Sequence, residues 1–174
     1  MTLPNVHIRP LTGDDHTFLL DILYHAIYVA PGEPLPARDI LQQPDIRRYV
    51  ADWMQHKGDA GFVAEVEGKS IGAVWLRCWT GEDKGYGFVD VTIPELSIAL
   101  LPGFRGKGIG TRLLKQCLRE AAQHHVAISL SVSDPNPAKN LYLRLGFVEI
   151  GKDGGSTTML KQLAGKASTD QEAW

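Results

Sequence analysis

A chain of 174 residues with 44% hydrophobic and 22% charged side chains has the composition of a globular domain, which excludes wholesale disorder. Eighteen Lys and Arg against twenty Asp and Glu give a formal net charge of −2, without the basic surplus that displaces counterions from a nucleic acid. Cys78 and Cys117 form no C-x-x-C pair, and no run approaches the ~18–20 apolar residues that span a bilayer.

The expectation is a single domain over residues 1–163 with a frayed tail at 164–174. The opening residues lack the cationic and apolar regions of a secretory signal. The low cysteine count fits a cytoplasmic protein, and the charge balance and the lack of a long apolar run predict that it engages neither nucleic acid nor membrane.

In chain order, Val6 to Arg9 predicts a strand and Thr12-Gly-Asp-Asp a capping turn. Phe18, Leu19, Ile22, Leu23, Ala26 and Val29 recur at helical spacing and predict a helix over 14–29. Pro31-Gly-Glu-Pro-Leu-Pro breaks it, and a second helix is expected over 44–56. Strands then follow at 61–67 and 71–79, joined by a hairpin turn at Gly68-Lys-Ser. Thr80 to Gly87 reads as a loop. Phe88 to Leu101 reads as strand, with Pro94 marking a break or bulge. Residues 108–123 carry the clearest amphipathic stripe, including Ile109, Leu113, Leu114, Cys117, Leu118 and Ala121. A strand at 126–132, a helix at 136–145 and strands at 147–150 and 156–160 complete an α/β or α+β sheet covered on both faces.

The most informative segment runs from Glu95 to Leu114. An apolar strand ends at Pro102, and a basic glycine loop then leads straight into the strong helix. Free amides and the positive end of a helix dipole make such a junction an anion site. Gly106, Gly108 and Gly110 let phosphate oxygens approach the main chain, and Arg105 and Lys107 add charge at the rim. The P-loop pattern fails because Gly106-Lys107 is followed by Gly108. The dinucleotide fingerprint fails because its third glycine position holds Thr111 or Leu113.

The Arg-x-x-Gly-x-Gly pattern of Arg105, Gly108 and Gly110 after an apolar strand resembles the GNAT superfamily of acyl-CoA-dependent N-acyltransferases. The block Asn136-Pro-Ala-Lys-Asn-Leu-Tyr142-Leu-Arg-Leu-Gly146-Phe147 is similar to that family's C-terminal motif, although one residue fewer than usual follows the Asn. The resemblance is strong over about 88–150. It implies a mixed, mostly antiparallel sheet of six to seven strands flanked by helices and splayed where acetyl-CoA enters.

The segment Arg105, Gly106, Lys107, Gly108, Ile109, Gly110 and Thr111 is thereby implied to hold the coenzyme A pyrophosphate. Ile98 and Leu100, in a bulged strand, would bond the pantetheine arm through their main chains, and Asn136 would touch the coenzyme. The implied reaction is direct acetyl transfer from acetyl-CoA to a primary amine of a small molecule or peptide, in a ternary complex and without a metal. An amine attacks only when neutral, and a lysine-like amine has a pKa near ~10.4. The resemblance makes Tyr142 the expected general acid toward the sulfur and Glu95 the expected base or water-ordering carboxylate. Trp75 and Trp79 read as core. Homodimers are common in the family. The rival readings are a non-catalytic acyl-CoA sensor and a nucleotide-binding protein.

Overall fold

A computed structural model describes residues 5–164, so from residue 165 onward the expected tail lies outside the described residues. Strand β1 (Val6–Pro10) leads to a 3-10 turn at Gly13–Asp15 closed by a reciprocal Thr12–Asp15 capping box. Helix α1 (His16–Ala26) follows. It stops short of Val29 because Ile27 turns extended ahead of the proline-rich joint. Helix α2 is only Pro44–Arg47, which corrects the expected helix over 44–56.

The cause of that early stop is a buried cation. Arg77 Nη1 donates to the carbonyls of Arg48 and Ala51 at 2.7 and 2.6 Å, so those groups serve a strand residue and the chain folds into turns. Asp52 and Met54 take left-handed backbone angles there, with φ of 51° and 67°.

Strands β2 (Ala60–Val66) and β3 (Lys69–Arg77) pair antiparallel around a two-residue turn at Glu67-Gly68. Both turn residues have positive φ, the mirror-image turn that suits strand twist. Strand β4 is Glu95–Leu100 alone. The expected strand over 88–94 is a loop: Phe88 N–H donates to Gly85 O, Ile93 N–H to Asp90 O, and Pro94 has no N–H to offer a ladder.

Helix α3 (Ile109–Ala121), β5 (Ala127–Ser133), α4 (Ala138–Arg144), β6 (Val148–Asp153) and β7 (Ser156–Gln162) complete the fold. The sheet order is β1-β2-β3-β4-β5-β7-β6, and every neighbouring pair is antiparallel except β4–β5. Among the described residues no helix is long and apolar enough to cross a membrane.

Each face of the sheet carries its own core. Leu96, Ile128, Leu130 and Met159 pack with α3 and with Tyr142 of α4 on one side. Trp75, Ala73 and Ala99 pack with Leu19, Ile22 and Leu23 of α1 on the other.

Candidate active site

The parallel pair β4–β5 is joined at one register position, Glu95 opposite Ser129, and then parts. β3 meanwhile pairs with β4 without a register shift from Glu95 to Leu100, so the bulge expected in β4 is absent. Leu101 N–H donates to Ile71 O at 2.9 Å. Strand alternation therefore turns the amides of Ile98 and Leu100 away from β3, toward the edge that β5 has left. The same alternation sends the Ile98 and Leu100 side chains to the α3 face and that of Glu95 to the α1 face. Without a bulge, nothing restores Glu95 and Ile98 to one side.

The start of α3 lies over this edge: a Cβ on Gly110 would touch Leu100 Cδ1 at 3.6 Å and Ile98 Cδ1 at 4.0 Å. The helix opens on Gly108, whose φ of 81° is left-handed and which has no side chain to cap the first turn. Among the described residues, the amides of Gly106, Lys107, Gly108, Ile109, Gly110 and Thr111 donate to no acceptor. A Cβ at Gly106 or Gly108 would meet nothing within 4 Å, so the main chain is bare to an approaching ligand.

Lys107 is exposed, its ammonium 5.7 Å from the Phe104 ring centroid. The Arg105 guanidinium is already engaged, with Nε on Leu100 O and Nη2 on His25 O, both at 3.2 Å. Two of its five N–H donors thus tie the end of β4 to α1, and three are uncommitted among the described residues. Asn136 precedes α4, and its Oδ1 accepts from Ala138 N–H at 2.9 Å.

Tyr142 is 8% exposed and packs edge-on against Phe147, ring centroids 5.9 Å apart. Its hydroxyl has no partner among the described residues, yet no sealed side-chain oxygen is left unpartnered there. The oxygen therefore has an opening. Burial pushes the phenol up to about 12, so it is protonated at neutral pH.

Glu95 is 3% exposed. Its Oε1 accepts from Tyr49 OH at 2.8 Å and Gly87 N–H at 2.9 Å, and its Oε2 from Trp79 Nε1 at 2.7 Å. Burial raises its proton affinity, while the hydrogen bonds from Tyr49, Gly87 and Trp79 oppose that. The covering loop fits tightly. A Cβ on Gly85 would collide with Glu95 Oε2, and one on Gly87 would lie 2.7 Å from the Leu130 carbonyl carbon and 2.8 Å from Glu95 Oε1.

Gly87→Ala is therefore expected to destabilise by about 1–3 kcal/mol in urea unfolding, because backbone cannot yield to the new methyl. Gly81→Ala, in the same loop with nothing within 4 Å, should leave the midpoint unchanged.

Sequence reasoning missed Tyr49 and gave Trp79 only a packing role. The available signals were a charged Arg77 inside an apolar strand, which demands a buried partner, and paired glycines flanking Tyr86. Cys78 lines a recess with His56, Trp79 and His125, its thiol pushed up by burial and by Asp59.

The family model for the acetyltransferase (GNAT) domain matches residues 57–149. An N-alpha-acetyltransferase of Sulfurisphaera tokodaii is 35% identical over 103 residues, covering 52% of this chain and 58% of that protein. The uncharacterized N-acetyltransferase MJ1207 of Methanocaldococcus jannaschii is 31% identical over 120 residues, 67% of this chain and 51% of that one. The chain thus spans about half the length of the curated relatives it matches. Among solved structures, yncA of Salmonella typhimurium, a putative acetyltransferase with its cofactor acetyl-CoA, shares the fold at a TM-score of 0.64. It is 23% identical, and the match covers 96% of this chain and 99% of that one.

Proposed function

The chain belongs to the GNAT acetyltransferase family, and from that premise we propose that it moves an acetyl group from acetyl-CoA to a primary amine of a small molecule or peptide. The observation that carries the reading is the junction of an unpaired β4 edge with an uncapped, glycine-lined helix start. The amides from Gly106 to Thr111 suit a pyrophosphate, and the Leu100 amide, with the Ile98 carbonyl on the same edge, suits an extended amide-bearing arm laid along the strand. Bound there, acetyl-CoA supplies an activated acyl carbon and a thiolate leaving group.

The chain's own groups supply the rest. Ile98 N–H polarises the acyl oxygen. Tyr142 donates a hydrogen bond to the departing sulfur. Glu95 takes the amine's proton through intervening water, since a carboxylate accepts about four hydrogen bonds and protein donors fill three. Asn136 steadies the turn into α4. A single-domain protein working in the cytoplasm belongs to the same reading.

Thermal unfolding with acetyl-CoA, coenzyme A, NAD and ATP tests the donor site. A ligand at 100 times its Kd stabilises by ~2.7 kcal/mol, a rise of several degrees for a domain of this size. The shift should be confined to the two coenzyme A compounds. Thiol release is then followed with amino-acid amides, short peptides, diamines and aminoglycosides as acceptors. No shift at millimolar acetyl-CoA would sink the assignment.

A further inference from the structure

We propose that Tyr49 is a positioning residue for the acetyl transfer, its phenol fixing the Glu95 carboxylate in the orientation that receives the amine's proton, with the Trp79 indole as the second clamp. The proposal rests on the proton-acceptor role given to Glu95 above.

Tyr49 is held at both ends. Its carbonyl accepts from Trp75 Nε1 at 3.0 Å, and its ring stands edge-on to Trp79 with centroids 5.2 Å apart. Its hydroxyl donates to Glu95 and at the same time accepts from Tyr86 N–H at 2.7 Å. One oxygen therefore couples the carboxylate to the loop that walls it in. Ser129 Oγ donates to Gly87 O at 2.7 Å from the β5 side, closing the same loop against the splay point.

The charges around Glu95 are otherwise committed. Arg77, opposite it in the β3–β4 register, spends its guanidinium on Asp59 and two carbonyls. Arg48 donates to Lys84 O and lies 3.7 Å from Asp83. The Tyr86 phenol donates to Asp45, and the Lys84 ammonium sits over the Phe88 ring. No cation among the described residues forms an ion pair with the Glu95 carboxylate, whose orientation is set by neutral donors. Two of these are side chains that can be altered singly: Tyr49 and Trp79.

Tyr49→Phe removes one hydroxyl and keeps the ring. The lost hydrogen bond favoured the ionised carboxylate, so Glu95 should hold its proton to higher pH, by about one unit. The test titrates the Glu95 carboxyl by NMR in protein carrying 13C-labelled glutamate, assigned by its loss in Glu95→Gln. In parallel, kcat/KM is measured against pH with the most active amine of the panel. The expected result is an equal upward move of the NMR midpoint and of the ascending limb. Activity falls up to tenfold below the midpoint, with the high-pH plateau retained. Trp79→Phe should move both in the same direction.

An unmoved NMR midpoint in Tyr49→Phe overturns the Tyr49 proposal while leaving the Glu95 role intact. An NMR midpoint that moves without the limb, or a limb that survives Glu95→Gln, overturns the Glu95 role and the catalytic meaning of the clamp with it. A lowered plateau with an unmoved limb is structural damage and counts against the proposal. Thermal midpoints of each variant with acetyl-CoA separate that case from loss of donor binding.

Discussion

Replacing Tyr142 by phenylalanine is expected to lower kcat by roughly 10²–10³ while leaving the acetyl-CoA thermal shift unchanged. The range is that for losing one hydrogen-bond donor aimed at developing charge. The phenol sits at about 12 because burial disfavours its anion, whereas a thiol has an ordinary pKa near ~8.5. The phenol is therefore protonated and able to donate to the sulfur at neutral pH. On the proposed reading the hydroxyl is the donor that faces the sulfur as the thiolate forms.

The sign of the pH dependence follows. A phenol raised above its unfolded value stays neutral as pH rises through ~10, so Tyr142 adds no descending limb there. Phenylalanine keeps the ring against Phe147 and removes a hydroxyl with no partner among the described residues, so stability should barely change. Single-turnover kinetics with thiol detection reads the effect directly. Turnover equal to the parent would remove Tyr142 from the mechanism.

What could be read from sequence divides by the range of the interactions involved. The β4–loop–α3 unit was legible because it is contiguous: an apolar run, glycines where backbone must be bare, and a stripe at helical spacing. The Glu95 environment was not. Its donors come from residues 46, 16 and 8 positions away along the chain, and no local pattern marks a tyrosine as aimed at a distant carboxylate.

The overextended elements share this cause. Residues 88–93 alternate like a strand, but Phe88 N–H turns back to Gly85 O and Ile93 N–H to Asp90 O, while the preceding Gly87 is fastened to the buried Glu95 and Ser129 side chains. Residues 48–56 repeat like a helix until Arg77 takes two of the carbonyls. In both places a buried polar side chain outbids local propensity for backbone partners.

That competition makes Asp59 the position with the largest expected effect on stability. Arg77 and Asp59 have side chains 1% exposed, with Nε and Nη2 of Arg77 on the two carboxylate oxygens at 3.1 and 2.9 Å. Removing one partner from such a pair costs about 3–5 kcal/mol, because the other charge is left buried and uncompensated. Asp59→Asn keeps the shape and removes the charge. It should lower the thermal midpoint on the order of 10 °C for a domain of this length. Replacing both residues by apolar ones would not restore stability here as it can elsewhere, since the carbonyls of Arg48 and Ala51 would lose their donor.

The damage should also reach the site. The turns Arg77 holds carry Tyr49, whose hydroxyl bonds Glu95, and Trp53, whose Nε1 donates to Thr12 O at 3.2 Å. At a temperature where Asp59→Asn remains folded, its ascending pH limb should therefore move upward with that of Tyr49→Phe. A variant as stable as the parent in urea would mean that the buried pair is no anchor and that the 48–59 segment keeps its turns by other contacts.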